Sequence, residues 1–325
     1  MRCTSLSCEK DTARAFGARN LGEMMGRSTV RGIEMAGVRM AIEVPSNLKW
    51  EWPNEDIRAL ACVPADADVK IGVRVATPEA PRGEIYSYES RGVRFEIGWE
   101  GESFAVAVYG QSGLERAARF DADFRHGEIV VTSAFAIGAA YPLEHPLDEL
   151  VLLHRLTREG CVIVNGSVSL EGREALLFLD TTDNAPPLPA GMTFESRSVS
   201  QFVLRPVLEH DGVSDIGVWL HTMPWRNECS DIKFERAPLS AIHILCDDGK
   251  TPVERLSERR AENELLQHVF APVHDPDTAG RQVEAVSRVV RRTSVLRLSK
   301  PWMDREISFN WAESQAALGI APSSL

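Results

Sequence analysis

Apolar and polar residues alternate along much of the first half of the chain. Between Gly32 and about Ala140 this period-two texture recurs in short runs: Val38 to Val44, Val69 to Val75, Val93 to Trp99, Ser103 to Tyr109 and Glu128 to Ala134. Such alternation predicts strands with one face buried. Pro45-Ser46-Asn47, Pro78 to Gly83 and Trp99-Glu100-Gly101 separate the runs as turns, and Gly101 between two alternating segments predicts a hairpin. The expectation for this half is an antiparallel sheet of five to seven strands.

The period changes at His145. From Pro146 to Leu156 apolar residues recur at i, i+3, i+4 and i+7, with Pro146 where a first helical turn tolerates it and Gly160 as a stop. Two apolar strands follow, Cys161 to Val164 and Ala175 to Leu179, joined by a polar turn at Glu171-Gly172-Arg173. Three prolines among Pro186-Pro187-Leu188-Pro189 exclude a regular helix there. Further strands are predicted at Gln201 to Leu204, Gly217 to His221 and Ala241 to Leu245, and two helices at Ser257 to Val269 and Ala279 to Val289. The predicted organisation is a disordered leader over 1–31 (or a start placed upstream of the true one), an antiparallel β domain over 32–142, a larger core over 143–310, and a tail over 311–325.

Composition narrows the function. The 325 residues are 44% hydrophobic, enough for one large or two modest cores, and the formal net charge of -11 disfavours a polyanionic partner. The densest basic cluster, Arg288, Arg291, Arg292 and Arg297, is interrupted by apolar residues with the look of a strand. No apolar run reaches the roughly 20 residues of a membrane span. The six scattered cysteines point to reduced thiols and a cytoplasmic protein rather than to a metal site.

Five segments in order then resemble the HPr-kinase-like family, whose core is shared with phosphoenolpyruvate carboxykinases. They are His145-Pro146-Leu147-Asp148-Glu149-Leu150, the strand pair ending Ala175-Leu176-Leu177-Phe178-Leu179, and the strand-turn His221-Thr222-Met223-Pro224-Trp225-Arg226-Asn227-Glu228. The strand Ala237-Pro238-Leu239-Ser240-Ala241-Ile242 and the segment from Leu256-Ser257 to Phe270-Ala271-Pro272 complete the series. The resemblance spans about His145 to Leu298. It implies an α/β fold: a mixed-sheet HPr-kinase/phosphoenolpyruvate-carboxykinase-like core preceded by the smaller antiparallel β domain.

The same resemblance exposes missing chemistry. A phosphate-binding loop needs glycines for its tight backbone, a lysine for the terminal phosphates, and a hydroxyl for Mg²⁺. Where the family reads GPSGAGKST, this chain has Asp180-Thr181-Thr182-Asp183-Asn184. The family's strand histidine aligns with Val164, and its acidic pair with Ser198-Val199-Ser200. Phosphoryl transfer is positioning plus electrostatics, so these losses together imply no phosphotransferase and no cofactor. Asp180, Asp183 and Glu195 are read as a solvated acidic loop or a cation site. Ser198 and Ser200 lack a histidine at nucleophile spacing. His221 with Trp225 and Glu228 forms a weak polar cluster able to serve as acid and base, or as plain structure. His145 and His154 read as a cap and a surface histidine.

The expected function is that of a catalytically inactive relative, a pseudokinase serving as an accessory subunit that binds a protein or peptide partner. Pro186 to Pro189 and the vacated nucleotide site are its expected contacts. The alternatives are an ATP-dependent serine kinase with a rearranged nucleotide site, which requires Mg-ATP, and a structural oligomer subunit.

Overall fold

A tight turn at Ala36-Gly37, both at positive φ, joins β1 (Ser28–Met35) to β2 (Val38–Pro45) and sets their antiparallel register from Met35 opposite Val38 outward. The computed structural model describes residues 28–90, 92–138, 141–171, 173–180, 200–206, 217–223, 236–246, 253–270 and 275–299. After β2 come α1 (Glu55–Ala59), β3 (Ala61–Cys62) and β4 (Val69–Val75). An antiparallel meander follows: β5 (Ile85–Ser90), β6 (Val93–Glu100), β7 (Ser103–Gly110), β8 (Gly113–Phe120) and β9 (His126–Val131). Gly101, at φ +63, turns β6 into β7 as the sequence predicts.

These strands form one nine-stranded sheet in the order β3-β1-β2-β4-β9-β8-β7-β6-β5. The sheet is mixed, which corrects the antiparallel expectation, because β4 runs parallel to both β2 and β9. The connection from β2 to β4 carries α1 and β3 and is long enough for the crossover a parallel pair needs. The strand expected to run to Ala134 ends at Val131. Thr132 Oγ1 accepts a hydrogen bond from the Phe135 amide (3.2 Å) and opens the short helix α2 (Ser133–Ile137) instead.

α3 (Leu147–Arg158) lies against this sheet. Leu147, Val151, Leu152 and Leu156 are fully buried in one cluster with Ile33, Met40, Ile42, Phe104 and Ile129. Gly160, at φ +76, stops the helix. β10 (Val162–Glu171), β11 (Glu174–Asp180), β12 (Ser200–Pro206), β13 (Val218–Thr222), β14 (Arg236–Cys246) and β15 (Val253–Arg255) then precede α4 (Glu258–Leu266), α5 (Pro276–Arg292) and β16 (Ser294–Ser299).

The second sheet is also mixed, with β11, β14 and β16 mutually parallel. β10 pairs with β12 through Val162 to Gly166 and with β11 through Ser167 to Glu171. β14 likewise pairs first with β13 and then with β11, so β10, β12, β13, β14 and β11 close a five-stranded ring. One face, with Val162, Val164, Leu177, Leu204, Leu220 and Ile242, packs on Val286 and Val289 of α5 and Leu265 of α4. From the other face Ile163 and Val203 join the core of the first sheet. The whole is a mixed α/β structure in which strand predominates.

Polar groups fasten α3 to its surroundings. His154, expected at the surface, is fully buried: its ring stacks on Phe124 at 4.3 Å, and Nδ1 lies 3.5 Å from Asp275 Oδ2. The nine-residue spacing from His145 gave its position on the helix but not the loop and helix that cover it. Asp275 also caps α5, accepting from the amides of Asp277 and Thr278 and from Thr278 Oγ1. Arg158 donates to Thr278 Oγ1 (3.1 Å) and lies over the Phe124 ring. At the last turn of α3, Glu159 is shared by Arg155 (2.9 Å) and Arg205 of β12 (2.7 Å), and Arg205 also donates to the Ala36 carbonyl (2.7 Å). His145 is no cap. The N-cap is Pro146, and His145 pairs with Glu149 at 3.1 Å.

Candidate functional site

β11 ends at Asp180, whose backbone pairs with Leu245 of β14, so the Asp180 end of β11 and the Cys246 end of β14 point the same way. Thr181, Thr182, Asp183, Asn184, Glu195 and Ser198 lie outside the described residues, as do Pro186 to Pro189, Trp225 and Glu228. Ser200 begins β12, its backbone opposite Gly166. Val164 is fully buried, bridges Val269 through the backbone and packs in the α5-facing core. Its role is apolar packing.

His221 stands on β13 beside Val203 and Arg236. It is buried, and desolvation followed by the charges of Arg205 and Arg236 lowers its pKa to about 4. A ring held neutral between two guanidinium groups is a poor proton acceptor near neutral pH, which favours the structural reading of that position. His243 of β14 is fully buried, stacked on Phe178 at 4.8 Å, and burial lowers its pKa to about 4. Burial pushes the Cys161 thiol up to about 12, which leaves it unreactive. Among the described residues no cluster of three His, Cys, Asp or Glu side chains is placed to hold a metal ion. None of their helices is long and apolar enough to cross a membrane.

A different place has the make-up of a binding site. β2 leads into a segment carrying Trp50 and Trp52, and α1 follows with Asn54 as its cap, Asn54 Oδ1 accepting from the Ile57 amide at 2.8 Å. The two indoles meet edge to face at 5.1 Å, and Trp50 meets Tyr141 the same way at 5.4 Å. With Arg31, Glu51, Glu55 and Arg58 they line a cleft of about 410 Å³.

The sequence matches no protein-family model and no curated protein.

The cleft's charges are only partly committed. Glu55 pairs with Arg58 at 3.1 Å and Glu51 with Lys49 at 3.1 Å, whereas Arg31 has no ion pair among the described residues. Arg31 belongs to the exposed first half of β1, where Ser28 to Arg31 pair with β2 alone, since β3 reaches only Gly32 and Ile33. A strand edge that no described residue pairs, two half-buried indoles and an arginine thus adjoin. That combination can take up an extended chain through its backbone and one apolar side chain. Sequence reasoning missed this cleft. Its signal was the pair Trp50 and Trp52 in a segment free of strand periodicity, two large aromatics that no predicted element buried.

Proposed function

We propose that the chain is a catalytically inactive relative of the HPr-kinase-like proteins that serves as an accessory subunit, holding an extended peptide of a partner protein at the Trp50–Trp52 cleft. The cleft is the observation that carries the binding half of this reading. Its volume of about 410 Å³ is in the range of small recognition pockets, and its aromatic floor beside an open strand edge suits a peptide with an apolar ring or proline next to an acidic residue for Arg31. The inactive half is supported by Asp180-Thr181-Thr182-Asp183-Asn184 following β11 without glycine or lysine, and by buried Val164 where the family carries a histidine.

Two experiments address the halves separately. Calorimetric titration with MgATP and MgADP should give no saturable heat. Binding that disappears in Asp183→Asn would restore the kinase reading. A random peptide display library selected on the full chain and counter-selected on Trp52→Ala should yield extended sequences that need Trp52. Enriched peptides that bind both proteins equally would remove the cleft from the proposal.

A further inference from the structure

α5 is 17 residues long, so its last turn lies roughly 25 Å from Asp275. There the chain passes through Thr293 into β16, and the first turn of α4 approaches the same space. Between them is a second cavity of about 310 Å³, lined by Arg255, Glu258, Arg291, Arg292 and Thr293 together with apolar residues. Three guanidinium groups face one carboxylate, and Glu258 is solvent-exposed, where water screens it. None of the three arginines has an ion pair among the described residues.

Two groups in this lining are buried without partners. Thr293 is 7% exposed and its hydroxyl has no hydrogen-bond partner among the described residues; Arg292 Nη1 is equally enclosed and unpaired among them. Buried polar groups normally find partners, and each orphan calls for one. α4 adds donors of its own. Its N-cap, Ser257, makes no capping hydrogen bond through its side chain, so the first-turn amides lack a side-chain cap at the positive end of the helix. Arg291 and Arg292 do complement the carbonyl end of α5. That accounts for neither Arg255 nor the orphaned Nη1.

Residues bearing guanidinium N–H, amide N–H and hydroxyl groups line this cavity and outnumber its acceptors, which are the exposed Glu258 and the carbonyl end of α5, and a donor-rich lining is the chemistry of an oxyanion site. The size stands at the lower end of small-molecule pockets and suits a phosphate or a small phosphomonoester better than a nucleotide. We propose that this cavity binds a phosphate group, with Arg292 and Thr293 as its buried contacts and Arg255 and Arg291 at its rim. The site is remote in sequence from the aromatic cleft and stands whether or not the cleft binds a peptide.

The test uses the full chain, inorganic phosphate and glycerol phosphate at matched ionic strength, and calorimetry. Saturable binding is expected, weakened at least tenfold in Arg292→Gln and about threefold in Thr293→Val, and unchanged in the surface control Arg281→Gln. Tighter binding of glycerol phosphate assigns the site to a phosphomonoester, and tighter binding of inorganic phosphate assigns it to the free anion. Hydrogen exchange on the wild-type chain needs no variant: phosphate should slow exchange across the first turn of α4. No saturable binding of either anion, equal weakening in Arg281→Gln and Arg292→Gln, or unchanged exchange in α4 would overturn the proposal.

Discussion

The two ends of α5 treat buried polar groups in opposite ways. At its start Asp275 receives hydrogen bonds from Thr278 and the Asp277 amide, with His154 and Arg158 beside it. At its finish Arg292 and Thr293 keep buried donors without partners. The first arrangement is self-sufficient and its chemistry is used up in holding α3 to α5. The second does not close among the described residues. Charge at a helix terminus therefore says little by itself about function; whether its hydrogen bonds close within the chain says more.

The largest effect should come from opening the closed end. Asp275→Ala removes the α5 cap and leaves His154 and Arg158 facing a void, a loss of about 3–5 kcal/mol in urea unfolding at pH 7. Burial alone would raise the Asp275 pKa, but hydrogen bonds from His154 and Thr278 together hold it well below the usual carboxylate range. Its contribution is therefore present above about pH 4 and is lost as the pH falls from there.

Acid should act chiefly at this end, where a histidine is buried, whereas the cavity at the other end has no histidine in its lining and a single, solvent-exposed carboxylate, Glu258. Burial lowers the pKa of His154, so the unfolded chain takes up a proton that the folded one refuses. Stability should fall as the pH drops below about 6.5, and His154→Phe should make the decline shallower. His221 and His243, both held at about 4, add to the remaining slope. His243 alone corresponds to about 3 kcal/mol between pH 6.5 and pH 4. Unfolding curves at half-unit steps would test this, and an unchanged slope in His154→Phe would show that its ring is not held neutral.

Glu159→Gln should cost about 1–2 kcal/mol, because a half-buried carboxylate loses charge while Arg155 and Arg205 keep a neutral acceptor. The smallest effect is expected at the open end. Thr293→Val should stay within about 0.5 kcal/mol of wild type, since the hydroxyl it removes bonds to nothing. A loss above about 1.5 kcal/mol would mean that the hydroxyl has a partner, and the contrast between the two ends would fail.

Local signals in the sequence carried the elements well. Pro146 and Gly160 bracket α3, Gly101 turns β6 into β7, and the alternation of Val69 to Val75 matches β4 residue for residue. Segments whose pattern is blurred by a buried charge were not legible. β8 reads Gly113–Phe120 with Arg116 in its middle, and that arginine is 2% exposed because it donates to the carbonyls of Glu144 and His145. Pairings distant in sequence were equally hidden. Nothing near His154 announces Asp275, and nothing near Arg255 announces Thr293, since each encounter is made by tertiary packing. The parallel placement of β4 between β2 and β9 is illegible for the same reason: alternation states which face is buried but not which strand is the neighbour. Most residues expected at the nucleotide site lie outside the described ones; Val164, which does not, is core.

The division of β10 between two partners carries a kinetic consequence. Its first half must find β12 and its second half β11, while β11 must find β14, some sixty residues farther along the chain. The β10–β11 hairpin can form locally, but the ring cannot close from neighbouring segments alone, and the entropy of closing a long loop is spent before the last contacts return it. Gly166 is where β10 changes partner, and a Cβ there would come within 2.8 Å of the Phe178 carbonyl oxygen and 2.9 Å of the Leu177 and Leu179 side chains. A shift of register by one residue would bring the Cβ of Asn165 or Ser167 to this crowded position, so the glycine ties ring closure to a single register.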